Sequence, residues 1–278
     1  MSKVDDIYYN LVREILQNGV WDTDQKVRTR WADGTPAHTI SIFGKQLVFD
    51  CSEVPILTTK YVPPKAPIHE ILWFFVKKTS DCSYLDEHNV KIWKEWTNKQ
   101  NNIGKAYGYQ AGKKVLSLNG EKVDQVDYLI HQLRNNPASR RHITTWWNID
   151  DLDEMELAPC WHSTQWLVKQ GKLHLIVTAR SSDVFLGLPF NIYQYYVLLR
   201  MVAQVTNWQI GTLICNIGDV HIYDRHVPII EKQIEMPQYE APTLWINPDV
   251  KELSDFTIDD FKLINYQHGP ALKAEVAI

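Results

Sequence analysis

The sequence predicts a single α+β domain spanning residues 1–278. Helical and strand-like apolar patterns both occur along it, and no internal repeat, low-complexity linker or shift in composition divides it. A length of 278 residues fits one or two domains, and the absence of an internal boundary selects one.

Residues 5–18 place Ile7, Leu11 and Ile15 four apart, behind Asp5 and Asp6 and ahead of Gly19, which predicts a capped amphipathic helix. Residues 39–49 read as a hairpin broken at Gly44. A strongly apolar helix opened by Pro67 is predicted over 66–76. Residues 97–124 show no clear period and contain Gly104, Gly108, Gly112 and Gly120, so an irregular loop is expected, of a kind that often carries function. Val126, Leu129, Ile130 and Leu133 mark a helix over 125–135. Strands are predicted at 142–148, 160–169 and 172–180, the last two joined across Gln170-Gly171. Residues 190–206 are apolar almost all round, the mark of a buried central helix. A further strand, 215–223, precedes a short helix.

The net charge of -4 provides no basic field, so no binding to DNA is expected and any phosphate-binding arginines must act locally. Eleven Trp and thirteen Tyr serve either core packing or the stacking of flat ligands. Cys51, Cys82, Cys160 and Cys215 form no C-x-x-C pair and no zinc spacing with His, so no metal is expected. The N-terminus has no apolar signal core, and no stretch approaches the ~18 apolar residues of a membrane span. A cytoplasmic protein with reduced thiols and no membrane partner is expected.

Several short patterns could carry chemistry, and each also has a purely structural reading. Cys160, in Leu157-Ala158-Pro159-Cys160-Trp161, could be a nucleophile or a small buried hydrophobe. Its sequence neighbours supply no cation, but Arg180 could reach it across a hairpin. The stretch Arg180 to Asn191 gathers an arginine, a hydroxyl, a carboxylate and an amide; it could grip a phosphate and a base edge, or simply form a turn and helix cap. Ser139-Arg140-Arg141 suits a phosphate or a solvated charge pair. His221 and Tyr223 alternate onto one strand face, where they could hold a sugar or be partly buried polar groups. Glu70 sits in an apolar segment; buried, it would carry a raised pKa suited to acid–base work, and otherwise it faces water.

Taken together, in order and spacing, these residues resemble the thymidylate synthase family. The likeness rests on Pro159-Cys160, Arg180-Ser181-x-Asp183, Leu186-Gly187-x-Pro189-Phe190-Asn191, His221-x-Tyr223 and Ser139-Arg140-Arg141. It runs from Arg28-Thr29 to Val276-Ala277-Ile278 and is nearest to the Bacillus and phage branch. The resemblance implies the fold shared by thymidylate synthases and dCMP hydroxymethylases, a large mixed β-sheet packed against a partner subunit and surrounded by helices. It implies reductive methylation of dUMP to dTMP, with 5,10-methylenetetrahydrofolate as co-substrate and dihydrofolate released.

Under that resemblance Cys160 adds to C6 of the uracil. Glu70 organises proton transfers, Tyr107 assists proton removal at C5, and Asn191 pairs with the uracil edge. Asp183 hydrogen-bonds the pterin ring, and His221 and Tyr223 hold the ribose 3′-hydroxyl. Arg28, Arg180 and Ser181 grip the phosphate, joined by Arg140 and Arg141 donated by the other subunit of a homodimer. Arg180 also favours the Cys160 thiolate. Ile92, Trp93, Trp96, Leu157, Gly187, Phe190 and Ala277 line the folate pocket, Lys60 meets the glutamate tail, and the Ile278 carboxylate closes over the ligands. Four positions depart from the common pattern: Trp161 where many members have His, Ala179 where Gln is common, Glu275 where Pro is frequent, and a longer loop after Arg28-Thr29 in which Arg30 rivals Arg28. A hydroxymethylase would quench the same intermediate with water; its cytosine-specific form usually has Asp where Asn191 stands. A binding protein without turnover would need neither Cys160 nor Glu70.

Overall fold

The computed structural model describes residues 2–278. Helix α1 (Lys3–Asn18) buries Tyr8, Leu11, Val12 and Ile15 on one face. Its acidic start differs from the expected cap: Asp5 accepts hydrogen bonds from the backbone and hydroxyls of Thr58 and Thr59 and is buried. A Cβ on Gly19 would lie 2.4 Å from the Ile15 carbonyl and 2.8 Å from Ile40, so glycine lets the helix end against Ile40. A two-residue strand, β1 (Val20–Trp21), follows.

Residues 39–49 are not a hairpin. They form one strand, β2 (Thr39–Phe49), and Gly44 takes φ +82 within it. Pairing with the later strand β8 (Gln209–Tyr223) runs in one register on both sides, Phe43 opposite Asp219 and Lys45 opposite Ile217. A full-length partner strand outweighs the local turn signal of one glycine.

The apolar helix is α2 (Lys65–Ile71), which widens into a π-helical turn over Leu72–Lys77. Such turns are common beside functional sites. The stretch 97–124 is more ordered than its sequence suggests. After α3 (Ser83–Glu87) it contains α4 (Gly108–Gly112) and a hairpin of β3 (Leu116–Leu118) and β4 (Glu121–Val123). Asn119 and Gly120 both have positive φ in that turn, the Asn-Gly geometry that matches strand twist. Helix α5 (Gln125–Asn135) begins where the Asp124 side chain accepts from the Val126 and Asp127 amides.

Strand β5 (His142–Thr145) is shorter than expected, although the buried Trp146 still donates its amide to the His162 carbonyl at 2.8 Å. Strands β6 (Trp161–Lys169) and β7 (Lys172–Asp183) form the predicted hairpin, with Gln170 and Gly171 both at positive φ. Helix α6 (Gly187–Val205) connects β7 to β8, and α7 (Val227–Gln233) follows. A final hairpin, β9 (Thr243–Ile246) with β10 (Phe261–Ile264), went unread in the sequence.

The main sheet has the order β1-β2-β8-β7-β6-β5. All its pairs are antiparallel except β7 and β8, which α6 joins by a crossover. Leu173, Leu175, Val177 and Ala179 of β7 are buried on one face of the sheet, in the same core cluster as α6. Between them Ile176 of β7, with Ile214 of β8, points the other way and is only partly buried; Ile143 on β5 and Phe43 on β2 are exposed. Parallel pairing brings the carboxyl ends of β7 and β8 together beside the start of α6, and there the chain opens into a cleft. Among the described residues no helix is long and apolar enough to cross a membrane.

Candidate active site

The cleft has a volume of about 800 Å³. It gathers side chains from every part of the chain: Arg28 and Lys60 from loops, Glu70 from α2, Ile92, Trp93 and Trp96 from the segment after α3, and Tyr107 from the turn before α4. Leu157 and Cys160 enter ahead of β6; Arg180, Ser181 and Asp183 end β7; Gly187, Phe190 and Asn191 open α6; His221 and Tyr223 end β8; Ala277 and Ile278 close the rim. Arg140 and Arg141 do not line it; both are exposed on the loop between α5 and β5.

Cys160 is half-buried. The Arg180 guanidinium shapes its loop, donating from Nε to the Pro159 carbonyl at 3.1 Å and from Nη2 to the Ala158 carbonyl at 2.8 Å. Nη2 also stands 3.5 Å from Sγ. Burial pushes the thiol up; Arg180 and then Arg28 pull it down, and burial wins. The expected lowering by Arg180 is present but is outweighed in the protein alone. The Cys160 amide donates to the Tyr107 hydroxyl at 3.0 Å. Tyr107 is held by stacking on Phe74, rings 4.5 Å apart, and has φ +35, a conformation few non-glycine residues adopt.

Glu70 is 5% exposed, and burial raises its carboxyl to about 7 against the opposing hydrogen bonds from Trp93 and Gln194. A group poised there gives up and regains a proton near neutral pH. Asp183 follows the opposite logic. Burial alone would raise it, but the neighbouring His226 and His221 and the Phe185 amide together lower it. Its Oδ1 accepts from the Phe185 and Leu186 amides at 2.8 and 3.3 Å, so it stays an ionised acceptor at the mouth of α6.

The two rival arginines separate clearly. Arg30 Nη1 turns back onto the carbonyls of Val27 and Thr29 at 2.7 and 3.0 Å, while Arg28 lines the cleft. The Arg30 backbone pairs in both directions with Ile278, at 2.7 and 2.9 Å, which docks the chain's end on the rim. Lys60 is drawn inward: it is 5% exposed, donates to the Phe185 carbonyl and stands 3.9 Å from the Phe185 ring centre. Burial lowers its ammonium to about 8, partly offset by Asp183. Its charge therefore sits in the cleft wall.

The thymidylate synthase family model matches residues 6–278. The chain is 57% identical, over all of both chains, to the thymidylate synthase of Bacillus phage phi3T and to thymidylate synthase 1 of Bacillus subtilis strain 168. The solved structure of the thermostable thymidylate synthase A from Bacillus subtilis superposes with a TM-score of 0.97 at 57% identity, covering 100% of both chains. This chain belongs to the thymidylate synthase family.

Within this thymidylate synthase fold three residues of the site carry no role assigned from the sequence. Gln194 donates to Glu70 through Nε2 and accepts from Asn191 Nδ2 at 3.0 Å through Oε1, linking the acid to the amide. Its spacing of three from Asn191 on a helix was the available signal. Asp219 lines the cleft beside His221, on the same alternating face. Trp161, the departure next to Cys160, is 4% exposed and packs on Tyr195 with ring centres 5.4 Å apart. It thus fills the position with apolar bulk.

Proposed function

We propose that the cleft converts dUMP to dTMP, taking its one-carbon unit from 5,10-methylenetetrahydrofolate and releasing dihydrofolate. The observation that carries this reading is the convergence of Cys160, Glu70 at about 7, and the Asn191 amide in one cleft with the phosphate-gripping Arg28 and Arg180. The Cys160 sulfur adds to C6 of the uracil. Arg28 and Arg180 gather around the nucleotide phosphate with Ser181, and their charge opposes the burial that raises the thiol. Asn191, with Nδ2 committed to Gln194, presents Oδ1 to the uracil N3–H. Cytosine has no proton there, so this orientation favours uracil.

The folate fits what the cleft offers: an apolar and aromatic wall of Ile92, Trp93, Trp96, Leu157 and Phe190 for a flat ring system, with the Asp183 carboxylate for its N–H groups. Bound there, the folate supplies the methylene group and the hydride. Glu70 holds and moves protons around the base, and the Tyr107 hydroxyl, fixed by the Cys160 amide, assists removal of the C5 proton. Gly187 and Ala277 border the folate, and Ile278 closes over it. Lys60 supports this wall from within and approaches the glutamate tail only by leaving Phe185.

The active unit is a homodimer. The uncovered face of the main sheet, where Ile143, Ile176, Ile214 and Phe43 lie among polar residues such as Gln165 and Asn216, suits a second copy, and Arg140 and Arg141, unengaged with this chain's cleft, suit the partner's phosphate site. Four unpaired cysteines suit the cytoplasm. Incubation with dUMP and the folate, followed by chromatography of the nucleotide, tests the reading. dTMP is the expected product; 5-hydroxymethyl-dUMP would show that water, not hydride, quenches the methylene group.

A further inference from the structure

The pairing of β7 with β8 leaves a carboxylate in the cleft that the reaction above does not use. Asp219 stands opposite Ser181 and two residues before His221, so it shares a strand face with His221 and Tyr223. Its Oδ2 lies 2.7 Å from His221 Nδ1 and accepts from Ser181 Oγ at 3.3 Å. Burial would raise this carboxyl, yet His221, Ser41 and Ser181 together lower it, so it is ionised at neutral pH. A carboxylate only accepts hydrogen bonds, which places the shared proton on His221 Nδ1. In the neutral ring Nε2 then carries a lone pair. Among the described residues the side-chain hydrogen-bond contacts of His221 all run through Nδ1. Tyr223 packs edge-on to the imidazole with ring centres 5.0 Å apart, and both side chains line the cleft.

We propose that Asp219 is a positioning residue that makes this site select a nucleotide with a free 3′-hydroxyl, by holding His221 in the tautomer whose Nε2 accepts the hydroxyl proton. The Tyr223 hydroxyl donates to the same oxygen, so a hydroxyl satisfies both partners. Hydrogen in its place leaves Nε2 unpaired, and an ether has no proton to give. The inference rests on the dUMP reading. Ser181 ties Asp219 to the phosphate end of the site, so sugar and phosphate recognition share one carboxylate.

The test uses the intact protein and its Asp219→Asn variant. Calorimetry measures binding of dUMP and of its 2′,3′-dideoxy counterpart, and nitrogen NMR reads the His221 tautomer. Wild type is expected to favour dUMP by about tenfold, equivalent to about 1.4 kcal/mol, with the proton on Nδ1. In the variant the amide donates to Nδ1, the proton moves to Nε2, and the preference shrinks to about threefold or less while dideoxy binding holds. An unchanged preference, parallel weakening of both nucleotides, or a wild-type proton on Nε2 would overturn the proposal. If the variant does not fold, the wild-type tautomer and selectivity decide alone. Failure of wild type to bind dUMP at all would instead sink the functional reading.

Discussion

Cys160 is held between two opposing effects, a wall that penalises its charge and two arginines that favour it. A soft thiolate that adds to a conjugated ring and later departs has no substitute in Ala. Cys160→Ala is expected to lower turnover by about a thousandfold or more while dUMP still binds, since the phosphate and base contacts remain. Calorimetry beside a product assay checks both halves; substantial residual turnover would remove Cys160 from the mechanism. Glu70 makes a second residue-scale prediction. Its folded carboxyl, near 7, lies above the ordinary 4.5, so the folded state holds a proton that the unfolded chain has released between those values. Glu70 is therefore fully tolerated below about pH 4.5 and destabilises the fold progressively as pH rises through 7. Glu70→Gln should raise Tm relative to wild type at pH 8, the gap should narrow toward pH 5, and turnover should fall. A gap that does not depend on pH would contradict the burial of this acid. From sequence alone Glu70 had two readings, facing water or facing the core; only its placement opposite α6, with Gln194 against it, decided between them.

At the scale of elements, the parallel pair β7 and β8 positions Arg180, Ser181, Asp183, His221 and Tyr223 of the site. Gly218 of β8 lies where a Cβ would stand 2.8 Å from the Arg180 carbonyl, which is backbone and cannot swing away. Gly218→Ala should force the strands apart at Arg180, costing about 1–3 kcal/mol of stability and reducing kcat/KM with it. Thermal melts and kinetics on the purified variant check this; a fully active variant of wild-type Tm would show that the strands tolerate the methyl group. Strong periodicity made α5 and α6 legible, because an amphipathic stripe and an all-apolar run each have one comfortable environment. The turn signal of Gly44 is local, whereas the fate of β2 is set by a strand about 170 residues later in the chain. β7 runs past the predicted end at Arg180, because Ser181 to Asp183 stay in the sheet by pairing with Asp219 to His221. The hairpin of β9 and β10 joins two four-residue strands with a long connection between them, too little alternation for a sequence pattern.

The whole molecule presents a sheet face with no covering layer in this chain and two exposed arginines that do not line its own cleft. Shared sites make a specific prediction. Arg141→Ala and Cys160→Ala homodimers should each be nearly inactive, and mixing them after subunit exchange should restore roughly a quarter of wild-type activity, because half the dimers then carry one intact site. No recovery would place Arg141 outside the partner's cleft. Family membership was readable from the order and spacing of the motifs, since chemistry fixes residue types where packing does not. The proposed sharing of sites between subunits comes from sequence only as an implication of that family. The inward turn of Lys60 was not readable at all, because it depends on the carbonyl of Phe185, a group that sequence does not display. The measurement that tests the central claim most directly is the absorbance change of dihydrofolate as wild-type protein turns over dUMP with 5,10-methylenetetrahydrofolate. Dihydrofolate should form in step with dTMP, one for one. Consumption of dUMP with no dihydrofolate, or no consumption at all, would contradict it.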